Sequence, residues 1–81
     1  MDFEKFKGYL LKEYKMDETS ANQYVGRLKG ILKRGLYNGE STITPSLLAA
    51  LKREYSENSM KNYKPTMERY IDFLKKSGEI Q

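Results

Sequence analysis

The sequence predicts a small all-α protein, one domain of 81 residues folded as a four-helix bundle. Three observations predict it. Apolar residues recur at spacings of three and four over most of the chain, and no stretch alternates with the period of two that a half-buried strand needs. Turn-forming residues gather at only a few places, so most connections are short. One amphipathic pattern also occurs twice, 39 residues apart.

The second copy of that pattern is the longest periodic segment. Met60, Tyr63, Met67, Tyr70, Ile71 and Leu74 share one face of a helix expected from Ser59 to Lys76. Ser59 is its expected N-cap, and Gly78 the residue just past its end. In the first copy Glu18 corresponds to Glu57, Ser20 to Ser59, Tyr24 to Tyr63, Leu28 to Met67 and Leu32 to Ile71. Each copy reads as a capped helix with a tyrosine on its buried side, preceded by a shorter helix.

In chain order, the first helix is expected from Asp2, as N-cap, to Lys15. Phe3, Phe6, Leu10 and Tyr14 form its inward stripe, with Leu11 alongside. Gly8 weakens it by about 1 kcal/mol relative to alanine and leaves room for close packing. After a corner at Met16-Asp17, the second helix runs from Thr19 to Arg34 and stops at Gly35. Ala21, Tyr24, Val25, Leu28, Ile31 and Leu32 face inward. Leu36 to Ile43 is an extended loop turning at Asn38-Gly39. Thr44-Pro45 opens the third helix, cap then proline, and it reaches Tyr55. Ile43 can staple onto Leu48, with Leu47, Leu51 and Tyr55 also inward. Pro65 removes a donor from the fourth helix, but Met60 and Tyr63 stay in phase with Met67. A kinked, continuous helix is therefore favoured over a fresh start at Pro65. Phe73 falls off the inward stripe, placed to cover the third helix or to stay partly exposed.

The chain has no cysteine and no histidine. That removes disulfides, thiolate metal sites, and the commonest general base and metal ligand. Carboxylates lie on solvated helix faces, and no glycine-rich phosphate loop or catalytic triad is visible. The expectation is a non-catalytic protein with no cofactor, no metal and no small-molecule substrate. No apolar run has the length of a membrane span, and the start lacks the order of a signal peptide. A soluble cytoplasmic protein without membrane contact is expected. The tyrosines fall mostly on buried stripes, where packing is their natural role; Tyr37, in the loop, is the exception.

Charge placement is more informative than the net charge of +4. From Thr19 to Gly39 there are four basic residues, Arg27, Lys29, Lys33 and Arg34, and no acidic one. The other 11 basic residues balance 11 acidic ones, so the excess sits on one helix and the loop after it. On a helical wheel Asn22, Gly26, Lys29, Gly30 and Lys33 lie opposite the Tyr24/Leu28 stripe, flanked by Gln23, Arg27 and Arg34. Two outward glycines leave room for something to approach the backbone, either a phosphodiester between lysines or a neighbouring helix. Asn22 and Gln23 sit where side-chain amides can reach base edges and first-turn N–H groups can bind phosphate. Lys61, Asn62 and Lys64 make the first half of the fourth helix its basic end. A plain solvated face is the alternative for all of these.

Four segments in order carry a resemblance: a short aromatic-rich helix, then Ser-Ala-Asn-Gln-Tyr-Val-Gly-Arg-Leu-Lys-Gly-Ile-Leu, then Ile-Thr-Pro-Ser-Leu-Leu, then Ser-Met-Lys-Asn-Tyr leading to Phe-Leu-Lys-Lys-Ser-Gly-Glu-Ile. Together, from about Phe3 to Ile80, they resemble the N-terminal core-binding (SAM-like) domain of tyrosine recombinases, the phage integrase class. The resemblance implies a bundle that clamps one side of a recombination site through its second and fourth helices. It also implies a C-terminal catalytic domain in a longer parent chain. The family's catalytic set has no match in a chain without histidine, so strand cleavage is not attributable to these residues. The DNA-contacting set expected here is Asn22, Gln23, Arg27, Lys29, Lys33, Arg34, Lys61, Asn62 and Lys64. The competing expectation is a helical protein-interaction module, or mobile-element regulator, that receives a partner helix on Gly26 and Gly30.

Overall fold

Four oxygen-bearing side chains start the four helices. The computed structural model of the chain describes residues 2–80. The Asp2 carboxylate accepts from the N–H groups of Glu4 and Lys5 at 3.1 and 3.2 Å, opening α1 (Phe3–Glu13). The Asp17 carboxylate accepts from the Ser20 N–H at 2.7 Å, opening α2 (Glu18–Lys33). The Thr44 hydroxyl caps α3 (Pro45–Glu54) through the Leu47 N–H at 3.1 Å. Ser56 caps α4 (Glu57–Lys76) through the Ser59 N–H at 3.2 Å. Both copies of the repeated pattern therefore start earlier than expected. Asp17 and Ser56 are the caps, and Ser20 and Ser59 are the residues whose N–H groups are satisfied. The caps keep the 39-residue offset, so the repeat holds while its boundary moves.

Both copies also end alike. Gly35 takes φ 67°, and the Leu36 N–H reaches back to the Ile31 carbonyl at 3.3 Å. Gly78 takes φ 77°, and the Glu79 N–H reaches the Leu74 carbonyl at 2.9 Å. This closure satisfies the last carbonyls, and its left-handed residue favours glycine. The shorter α1 ends on a left-handed lysine instead, Lys15 at φ 53°.

α4 is the axis of the molecule, with α1, α2 and α3 all packed on it and α1 also against α2. Its stripe Met60, Met67, Tyr70, Ile71, Phe73 and Leu74 is buried against Phe6 and Leu10 of α1, Ala21, Leu28 and Ile31 of α2, and Leu47 and Leu51 of α3. The helix runs unbroken through Pro65, so no new helix starts there. One residue on, the Thr66 hydroxyl donates to the Asn62 carbonyl at 2.8 Å.

Several side chains sit differently from the sequence expectation. Phe73 is buried, not partly exposed, and packs on α1 with its ring centroid 5.5 Å from Phe6 and 5.4 Å from Tyr9. Tyr24 and Tyr63 are half-buried at the edge of the core. Tyr37 packs its ring edge on Tyr70 at 5.5 Å and donates its hydroxyl to the Glu40 carbonyl at 2.7 Å, which ties down the loop. A Cβ on exposed Gly8 would meet nothing within 4 Å, so no close packing explains it. Among the described residues no helix is long and apolar enough to cross a membrane.

Two substitutions should stabilise the bundle. Gly26 lies inside α2, and a Cβ there meets nothing within 4 Å, so Gly26→Ala should raise unfolding free energy by about 0.5–1 kcal/mol. Lys15→Gly should relieve the left-handed cost and gain about 0.5–1 kcal/mol after glycine's own entropy is counted. Urea midpoints at unchanged m-value measure both.

Candidate nucleic-acid interface

α2 presents the basic residues because its other side is fixed by Leu28, Ile31 and Ala21 in the core. Asn22, Gln23, Lys29, Lys33 and Arg34 are exposed, while Arg27 is half-buried. On α4, Lys61, Asn62 and Lys64 are exposed. The first turn of α2 is not open to phosphate in the way expected. The Asp17 carboxylate occupies the Ser20 N–H, and that hydrogen bond, helped by the Ser20 hydroxyl, holds its pKa below the usual carboxylate value. With Glu18 beside it, the helix start is negative, and Asn22 and Gln23 lie beyond it.

The nine residues form more than one grouping. Lys29 leans toward α1, its ammonium 5.2 Å from the Phe3 ring centroid. Arg34 turns the other way. Its Nη1 donates to the Gly30 carbonyl at 3.2 Å and to the Tyr55 hydroxyl at 3.4 Å. Tyr55 in turn stacks on Tyr63, centroids 3.7 Å apart and planes 14° from parallel. A three-residue link thus joins the ends of α2 and α3 to α4, with Lys64 next in the chain. Burial raises the Tyr55 pKa, and the Arg34 charge opposes the rise. Arg27 lies over the Tyr24 ring at 5.1 Å, and Arg69 of α4 approaches the same ring.

The two glycines divide in role. A Cβ on Gly30 would meet Arg34 Nη1 at 3.1 Å and the Tyr55 hydroxyl at 3.6 Å, so this glycine makes room for Arg34. Gly26 is open. Among the described residues no partner helix sits on either.

Ion pairing leaves this surface uncompensated. Lys7 pairs with Glu18 at 2.9 Å and Lys76 approaches Glu13 at 3.9 Å, both involving α1. Among the described residues no carboxylate lies within 4 Å of the charged groups of Arg27, Lys29, Lys33, Arg34, Lys61 or Lys64. The clefts lined by Ser41, Glu68 and Asp72 (about 240 Å³) and by Lys52, Tyr55 and Met60 (about 330 Å³) include none of the nine residues. No cluster of three potential metal-ligating side chains occurs among the described residues. Sequence reasoning missed Arg69, which on the wheel looks like part of a mixed outward face, and it missed the use of Tyr24 and Tyr55 as platforms for arginine. Their helical spacing gave only the packing signal.

No family model matches the chain, and neither a curated protein nor a solved structure shows significant similarity to it.

Away from this surface, burial, with Tyr70 and Glu40 nearby, pushes the Tyr37 pKa up to about 12 from an ordinary 10.0. A raised folded-state pKa means the neutral phenol stabilises the fold fully below pH 10, and that contribution is lost as pH rises toward 12. The melting temperature should fall over that interval. Tyr37→Phe should start lower, having lost the Glu40 hydrogen bond, and decline less steeply across it.

Proposed function

We propose that this protein binds duplex DNA as a non-catalytic module, of the type its resemblance to the tyrosine-recombinase core-binding domain implies. In a longer parent chain it would clamp one side of the recombination site opposite a catalytic domain. The observation that carries the reading is the set of exposed cations on α2 and on the first half of α4, none with a carboxylate within 4 Å among the described residues. Unpaired lysines on a rigid helix neutralise phosphates with little lost to competing ion pairs, and the affinity they give falls with salt as counterions are released. Arg27, Lys29, Lys33, Arg34 and Lys64 supply backbone contacts, while Asn22, Gln23, Lys61 and Asn62 supply the groups suited to base edges. The competing protein-interaction reading loses half its surface, because Arg34 and Tyr55 already occupy the space over Gly30.

Titration of a labelled duplex at several salt concentrations tests the proposal. With about four phosphates neutralised, log K should fall against log[salt] with a slope of roughly −3 to −4. Lys29→Glu combined with Lys33→Glu should abolish binding and shift stability by no more than about 0.5 kcal/mol, since both side chains are exposed. No wild-type binding at low salt, or binding indifferent to salt, would refute the DNA reading.

A further inference from the structure

Where α2 meets α4, two guanidinium groups converge on one tyrosine. Arg27 lies 5.1 Å from the Tyr24 ring centroid and Arg69 lies 5.2 Å from it. Arg69 also faces the Tyr14 ring at 4.7 Å and donates through Nη1 to the Tyr24 hydroxyl at 2.8 Å. The Arg69 Nε is buried and has no hydrogen-bond partner among the described residues. The Asp72 carboxylate is on the same helix as Arg69, but it accepts from the Tyr14 hydroxyl at 3.4 Å, and no carboxylate lies within 4 Å of either guanidinium among the described residues.

The hydrogen-bond balance of this cluster is one-sided. A phenol oxygen that accepts from a guanidinium still has its own proton to donate. Among the described residues that proton has no acceptor, and the Arg27 guanidinium has no hydrogen-bond partner either. Two like charges brought to one ring without a counterion repel each other, while the same arrangement strengthens when an oxyanion joins it.

We infer that Arg27, Arg69 and the Tyr24 hydroxyl form an oxyanion site at the α2–α4 seam, whose ligand is a phosphate of the duplex backbone. The inference rests on the DNA-binding reading and adds Arg69 and Tyr24 to its contact set. Tyr24 serves twice, as the platform that orients both guanidiniums and as a donor in its own right. Because Arg69 belongs to α4 and Arg27 to α2, one phosphate position couples the two helices. It thereby fixes the register of the module on DNA, whereas the flexible lysines supply only attraction.

The test is the duplex titration over a salt series, run with the wild type, Arg69→Met and Tyr24→Phe, beside thermal melts of each. Arg69→Met should weaken binding about tenfold and make the salt slope shallower by about one. Tyr24→Phe keeps the ring and removes a neutral donor, so it should weaken binding about threefold with the slope unchanged. If Arg69→Met lowers the melting temperature but leaves affinity and slope at wild-type values, Arg69 only braces the helices and the site is overturned. Should Arg69→Met not fold, Tyr24→Phe decides, and wild-type affinity in that variant overturns the site. Absence of wild-type binding would overturn the DNA reading and the seam site together. Wild-type binding with silent seam variants overturns the site alone.

Discussion

The structure depends on one helix carrying an apolar face that three neighbours share. α4 has to meet α1, α2 and α3, so Met60, Met67, Tyr70, Ile71, Phe73 and Leu74 spread over both flanks of a face wider than any single neighbour needs. In a chain this short there is no second core to share the load. Loss of any large side chain on that face leaves a cavity that three elements would have to close together, which is why truncations at such positions cost about 2–5 kcal/mol. The remaining strip of α4, from Lys61 through Lys64 to Glu68 and Asp72, is what solvent or a partner can meet.

That geometry decides what α2 can offer. Its apolar residues dock against α1 on one side and α4 on the other, leaving Asn22, Gly26 and Lys33 along the open crest, with Lys29 leaning to one edge and Arg27 and Arg34 to the other. The cations are therefore sorted by mobility. Lys33 is free to follow a ligand, while the arginines are held in place by tyrosine rings. Guanidinium groups suit this role because they stack on aromatic faces and keep hydrogen-bonding edges available.

Four helices and their order were legible in the sequence because period and punctuation agreed: Asp2, Thr44-Pro45, Gly35 and Gly78 act as capping physics requires. α2 starts one residue and α4 two residues earlier than the sequence suggests. Asp17-x-x-Ser20 and Ser56-x-x-Ser59 each offer two cap-competent residues, and only the backbone reveals which one donates and which accepts. Phe73 was misplaced because a wheel judges a residue against one stripe, whereas α4 has neighbours on several sides. Tyr37 looked free because its partners, Tyr70 and the Glu40 carbonyl, are set by a loop path that no periodicity encodes. The basic residues of the candidate surface were visible as a run without acids. Arg69 was not, since its meeting with Tyr14 and Tyr24 joins three helices across the chain.

The corner where Arg34, Tyr55 and Tyr63 lie on one another has a bearing on behaviour at high ionic strength. Ring overlap and a guanidinium resting on a phenol act over a few ångströms, well inside the roughly 10 Å over which 0.1 M electrolyte damps a field. Dissolved ions that quench the long-range pull of the lysines therefore leave this joint intact. The molecule keeps its shape while its reach contracts, so brine acts on it as a dimmer and not as a denaturant.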